Sequence, residues 1–161
     1  MTNMALELKL AGQGIGFSRA NVGDRYVHQR LHETGGVLGG EASGHVLCLD
    51  RSGTGDAMIA ALQVLHALAT SGRSAADWRA AMPRFPQQTI NVRYANGARP
   101  LEHAGVQAAR VAAEQALAGR GRLVLRASGT EPVIRVTVEA DDPALVQRVA
   151  QAVAAAVSSA T

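Results

Sequence analysis

Apolar positions along this chain change period several times, and each change marks an element. Met58, Ala61, Leu62, Leu65, Leu68 and Ala69 fall at i, i+3, i+4, i+7, i+10 and i+11, which predicts a helix with one continuous apolar face. Thr54 is placed to cap it, with Asp56 favourable to the helix dipole. Val146, Val149, Ala150, Val153 and Val157 draw a second stripe, opened by Asp142-Pro143 in the cap-then-first-turn order. Ile90, Val92 and Tyr94, and later Ile134, Val136 and Val138, alternate with polar residues and predict half-buried strands.

Pro83 and Pro86 break any helix across Met82–Gln87, so two modules are expected, 1–82 and 84–161. In the first, helices over Asn3–Ala11, Asp24–Glu33 and Ser74–Met82 accompany an extended stretch, Gly16–Val22, and two strands, Val37–Ala42 and His45–Asp50. The second reads β-α-β-β-α: its first helix spans about Leu101–Ala118 and stops at Gly119, followed by strands Leu123–Arg126 and Val133–Glu139. The chain opens almost directly into a helix, with no strand before it to pack on. A truncated chain starting at an internal methionine is therefore expected.

Composition narrows the function classes. With 161 residues, 47% of them apolar, a packed core is within reach and disorder is not expected. The net charge is +3, and all basic residues but Lys9 are arginines, scattered without a run and with few aromatics. A nucleic-acid footprint needs a basic cluster or a stacking platform, so no such partner is expected. Cys48 is the single cysteine and reads as a small core residue; without a possible internal disulfide, a reducing cytoplasm is the default. No apolar run approaches the length of a membrane span.

Two loops carry candidate chemistry. Arg126-Ala127-Ser128-Gly129-Thr130-Glu131-Pro132, with Arg135 just beyond, lies between two strands. It gathers two guanidinium groups, two hydroxyls and a glycine-opened backbone expected to form an anion-binding nest. That inventory suits a phosphate monoester. The alternative is a hairpin in which Glu131 pairs with Arg126 or Arg135. Gly40-Glu41-Ala42-Ser43-Gly44-His45 is the second loop. It offers a carboxylate, a hydroxyl and an imidazole to the vicinal hydroxyls of a sugar; alternatively its glycines serve only a turn. Other features read as structural. Ser52–Asp56 lacks a P-loop ending, Gly12–Gly16 follows a helix rather than a strand, and the five histidines show no zinc spacing. His28 and His32 read as a solvated helix face, and Ser128 as a donor rather than a nucleophile.

Taken together, the two loops resemble the α-D-phosphohexomutase superfamily, and within it the bacterial phosphoglucosamine mutases. Val22–Val27, Thr54-Gly55-Asp56, Asn91–Tyr94, Pro100–His103 and Arg120–Arg122 carry the likeness further, over essentially the whole chain. The resemblance implies an α/β fold: a partial α/β/α third domain with a mixed sheet, then a small α+β fourth domain. It implies a fragment of a four-domain isomerase that interconverts glucosamine 6-phosphate and glucosamine 1-phosphate for peptidoglycan precursors. The reaction would run through a phosphoserine and a hexosamine 1,6-bisphosphate. Arg126, Ser128, Gly129, Thr130 and Arg135 would hold the non-reacting phosphate. Glu41 and Ser43 would hold sugar hydroxyls, supported by His45, with Asp24 and Arg25 lining the same cleft.

The family's Ser-His-Asn-Pro loop and its Asp-x-Asp-x-Asp loop for Mg²⁺ do not occur in this sequence. The resemblance thus implies no catalytic residue and no metal ligand in this chain, inactivity in isolation, and dependence on the absent N-terminal domains. A phosphomannomutase/phosphoglucomutase relative and a stand-alone phosphosugar-binding module remain open as alternatives.

Overall fold

The computed structural model describes residues 2–95 and 97–161. The chain forms two compact units, Met1–Pro83 and Arg84–Thr161. Both combine helices with a small antiparallel sheet, giving an α/β protein.

In the first unit, α1 (Met4–Gly12) is capped by Asn3, whose side chain accepts from the Ala5 N–H. α2 (Asp24–Thr34) ends at Gly35, which takes the left-handed conformation that L side chains disfavour. Strands β1 (Leu38–Gly40) and β2 (Val46–Cys48) pair antiparallel, Leu38 with Cys48 and Gly40 with Val46. This hairpin is the part of the expected mixed sheet that the described residues form. It lies close on α2: a Cβ at Gly39 would stand 2.6 Å from a Val27 methyl and 2.8 Å from one of Leu31. The Gly16–Val22 stretch finds no strand partner and has no regular structure.

α3 (Ala57–Ser71) is the predicted long helix, but its cap is Asp56 rather than Thr54. Asp56 accepts from the N–H groups of both Met58 and Ile59. Thr54 lies two residues too early to reach those donors. α4 (Ala75–Ala80) starts at a reciprocal capping box between Ser74 and Asp77. Core in this unit is sparse: only Ala5, Leu31, Leu47 and Cys48 are buried among its described apolar residues. No residue of α3 is buried, and Met58 and Leu62 stand 74% and 57% exposed.

The second unit has the expected β-α-β-β-α order. β3 (Gln87–Arg93), β4 (Gly121–Ala127) and β5 (Val133–Ala140) form an antiparallel sheet in the order β3-β5-β4. The first helix begins later than expected. Pro100–Glu102 is a 3-10 turn, and α5 (Ala104–Leu117) starts only after His103, whose ring accepts from the Gly105 N–H. α6 (Pro143–Ser158) is capped by Asp142. Its valines all bury, against Ile134, Val136 and Val138 on one face of the sheet and against Val106 and Leu117 of α5. Fully burying a side chain of that size contributes roughly 1.5–3 kcal/mol.

The opposite face of this sheet is polar and can be followed row by row. In the first row, the Arg122 guanidinium forms a close ion pair with the buried Glu139 carboxylate. In the second, Thr137 is bonded to Thr89 through their hydroxyls at 2.9 Å. In the third, Arg126, Arg135 and Asn91 stand side by side. Arg93 ends the face beside Val133.

Candidate functional site

The phosphate candidate is held at the β4–β5 hairpin. Its strands close with the Ser128 N–H donating to the Val133 carbonyl at 2.8 Å, and the Val133 N–H donates to the Glu131 carbonyl at 2.7 Å. The Tyr94 N–H donates to the Pro132 carbonyl at 3.0 Å, tying the loop to the end of β3. No residue from Arg126 to Pro132 has a positive φ, so the N–H groups of this loop are arranged by a turn rather than by a left-handed residue. A Cβ at Gly129 would meet nothing within 4 Å, so the loop is open at this position. Among the described residues, the Gly129 and Glu131 N–H groups have no acceptor.

The predicted set divides into two clusters. Ser128, Gly129 and Thr130 line a groove of about 470 Å³ together with Tyr94, Ala98 and Arg99. Arg126 and Arg135 face one another across the sheet in direct register. Like charges placed so are mutually destabilising. Both are half-buried, and no carboxylate among the described residues pairs with either. The alternative in which Glu131 neutralises one of them is therefore not found. Two half-buried guanidiniums in register, without a counter-charge, make an electropositive spot.

Arg99 and the β3 residues Asn91 and Arg93 were missed as members of this neighbourhood. Arg99 reaches Glu102 at 3.3 Å in an exposed pair, a contact worth little in water. Only the pairing of β3 with β5, about 45 residues apart in sequence, brings Asn91 and Arg93 to the loop end.

The sugar candidate lies wholly in the first unit. Glu41 and His45 close the hairpin, with the Glu41 N–H donating to the His45 carbonyl at 2.9 Å. The Gly44 N–H donates back to the Glu41 carbonyl at 3.0 Å, and Gly44 takes a φ of 92° that the turn requires. One Glu41 carboxylate oxygen accepts from the Gly23 N–H at 3.0 Å. That contact ties the residue before α2 to the hairpin turn, while α2 itself has no side-chain cap. His45 stands 3.8 Å from an Asp24 carboxylate oxygen. Its ring also packs on Gly55, where a Cβ would lie 2.3 Å from Nε2. Glu41, His45 and Asp24 are thus brought together, and Ser43 is exposed on the same turn. Arg25 turns onto Tyr26, its guanidinium 4.9 Å from the ring centroid. His28 is more than a solvated face residue, since Nε2 lies 2.9 Å from the Gly53 carbonyl oxygen.

Among the described residues, no three His, Cys, Asp or Glu side chains converge to hold a metal ion. No described helix is long and apolar enough to cross a membrane.

The family model for phosphoglucomutase/phosphomannomutase alpha/beta/alpha domain III matches residues 1–85, and that for the C-terminal domain matches residues 90–156. A phosphoglucosamine mutase of Methylobacillus flagellatus is 55% identical over 98% of this chain. The chain spans 35% of that relative's length, about a third. Among solved structures, N-acetylphosphoglucosamine mutase of Aspergillus fumigatus matches 96% of this chain and 36% of its own with a TM-score of 0.78 at 23% identity. The same enzyme solved in complex with GlcNAc-6P and magnesium matches 94% of this chain and 38% of its own, with a TM-score of 0.74 at 22% identity. These structures share the fold. The chain belongs to the phosphoglucomutase/phosphomannomutase family.

Proposed function

We propose that this chain is the substrate-holding C-terminal part of a phosphoglucosamine mutase, built as a third and a fourth domain meeting near residue 83. The enzyme interconverts glucosamine 6-phosphate and glucosamine 1-phosphate through a phosphoserine and a hexosamine 1,6-bisphosphate. One observation carries the reading at the level of chemistry: Arg126 and Arg135 stand in register, half-buried and without a counter-charge. The donor groups of Ser128, Gly129 and Thr130 lie on the adjoining loop. A phosphate monoester supplies the missing charge and accepts from two guanidinium forks at once.

In this reading the second unit fixes the phosphate that does not react. Glu41 then offers its remaining carboxylate oxygen, and Ser43 its hydroxyl, to sugar hydroxyls. His45 is steadied by Asp24 and Gly55, and in this reading Arg25 lines the same cleft. Remote binding of this kind orients the reacting end without touching it. In this reading the magnesium chemistry is supplied by residues outside this chain. No step is assigned to the metal. The nucleophile and the remaining domains likewise lie outside, in cytoplasmic company.

Calorimetry of the chain with glucosamine 6-phosphate, glucosamine and mannose 6-phosphate tests the reading. Binding is expected to be weak, to require the phosphate, and to favour the hexosamine. Arg126→Ala removes charge-assisted bonds of about 1.5–3 kcal/mol each. Equal binding of glucosamine and its phosphate would sink the assignment.

A further inference from the structure

We propose that β3 supplies a third arm of the anion site: Asn91 and Arg93 join Arg126 and Arg135 on one sheet face and make the site selective for a dianionic phosphate monoester over a monoanionic ester of the same shape. The proposal rests on the phosphate reading above and extends it to residues from which no anion contact was expected.

Register carries the argument. Asn91 pairs directly with Arg135, which pairs directly with Arg126, so the three form one row across all three strands. Arg93 pairs with Val133, one row on, and shares their face by the two-residue period of a strand. Directly opposed side chains stand about 4.5–5.5 Å apart and diagonal ones about 7–8 Å, within reach of a long guanidinium. Arg93 is exposed, and among the described residues no carboxylate pairs with it. Its cross-strand neighbour Val133 is 4% exposed and offers no charge.

The rest of the same face serves as an internal control. Arg122 is matched by Glu139, and Thr89 by Thr137. Only the loop end is left with three positive charges and one amide, all donors or potential donors. A phosphate monoester carries nearly two negative charges once its second proton is lost near pH 6, whereas a sulfate ester of equal shape carries one. Three guanidiniums neutralise the first better than two would. Their excess over the second is larger, so selectivity follows from charge count rather than from fit. Asn91 adds a neutral donor beside Arg135 without adding repulsion.

The experiment titrates the 161-residue chain at pH 8 with glucosamine 6-phosphate and glucosamine 6-sulfate, following backbone amide shifts, and measures thermal stability of each variant. Wild type is expected to prefer the phosphate. Arg93→Ala should weaken phosphate binding about tenfold and sulfate binding distinctly less. Asn91→Asp keeps the shape but places a carboxylate beside Arg135. It should weaken phosphate binding more than tenfold while raising the melting temperature, because the built-in carboxylate relieves the repulsion. A residue with a merely structural role would not move these two readouts in opposite directions. If both variants bind like wild type while Arg126→Ala loses binding, the site ends at β4 and β5 and the third arm is wrong. If wild type binds neither ester, the phosphate reading falls and the third arm with it.

Discussion

Residues 84–161 and residues 1–83 differ in what their helices lie against. In the second unit, α5 and α6 press their apolar stripes onto one face of a three-stranded sheet, and Val106, Val136, Val138, Ala150 and Val157 are fully buried. In the first, α3 carries an equally regular stripe, yet Met58, Leu62 and Leu65 remain at least 57% exposed. The contrast teaches that a periodic apolar face specifies a helix without specifying a core. A core needs a second layer of matching area, which the second unit has within itself. The two-stranded hairpin of the first unit is too small to provide one.

Separating the units is the bluntest way to break this comparison. Residues 84–161 alone should melt in one cooperative transition by circular dichroism, and residues 1–83 alone should melt broadly and bind a hydrophobic dye; a sharp melt of 1–83 would refute the contrast. The same substitution made on both sides sharpens it. Leu117→Ala, at a side chain 1% exposed, should cost about 2–5 kcal/mol in urea unfolding. Leu62→Ala, at one 57% exposed, should change stability by about 0.5 kcal/mol or less.

A smaller effect tests whether the first unit is well packed where it does pack. Gly55→Ala drives a methyl into the His45 ring and should cost about 1–3 kcal/mol. The His45 ring resonances should shift as its contact with Asp24 is lost, whereas unchanged resonances would show that the ring is not seated on Gly55. The smallest effect concerns the α4 cap. Hydrogen bonds from Ser74 hold the Asp77 carboxyl below its ordinary value. A depressed aspartate adds stability above its unfolded pKa of about 3.9, and that stability is lost as pH falls through the folded value. Acid titration should therefore fray Ala75–Ala80 only below about pH 4, while Asp77→Asn should remove that pH dependence.

Local patterns were legible wherever the deciding contact is local. The α6 stripe, its Asp142-Pro143 start and the Gly119 stop are present as read, whereas β5, expected to be half-buried, is buried on both faces at every position but Arg135. The α3 cap was misplaced because Thr54 and Asp56 are both good caps, and only the helix phase chooses between them. At the site, the five predicted phosphate residues split between a groove and a sheet face. Arg126 and Arg135 lie symmetrically about the hairpin turn, so their opposition was readable in principle. Asn91 and Arg93 were not, because their place depends on a strand pairing across the whole of α5.

The strand order β3-β5-β4 also has a consequence for the time course of folding. The β4–β5 hairpin is a local contact and closes quickly, whereas β3 must wait for a loop of some 40 residues to close around α5. Arg126 and Arg135 are therefore pressed together early, before Asn91 can arrive beside them. Their repulsion acts on the hairpin as a brake. An anion that binds the pair at that stage releases the brake. Phosphate in the refolding buffer should then speed this unit's folding as well as stabilise its product.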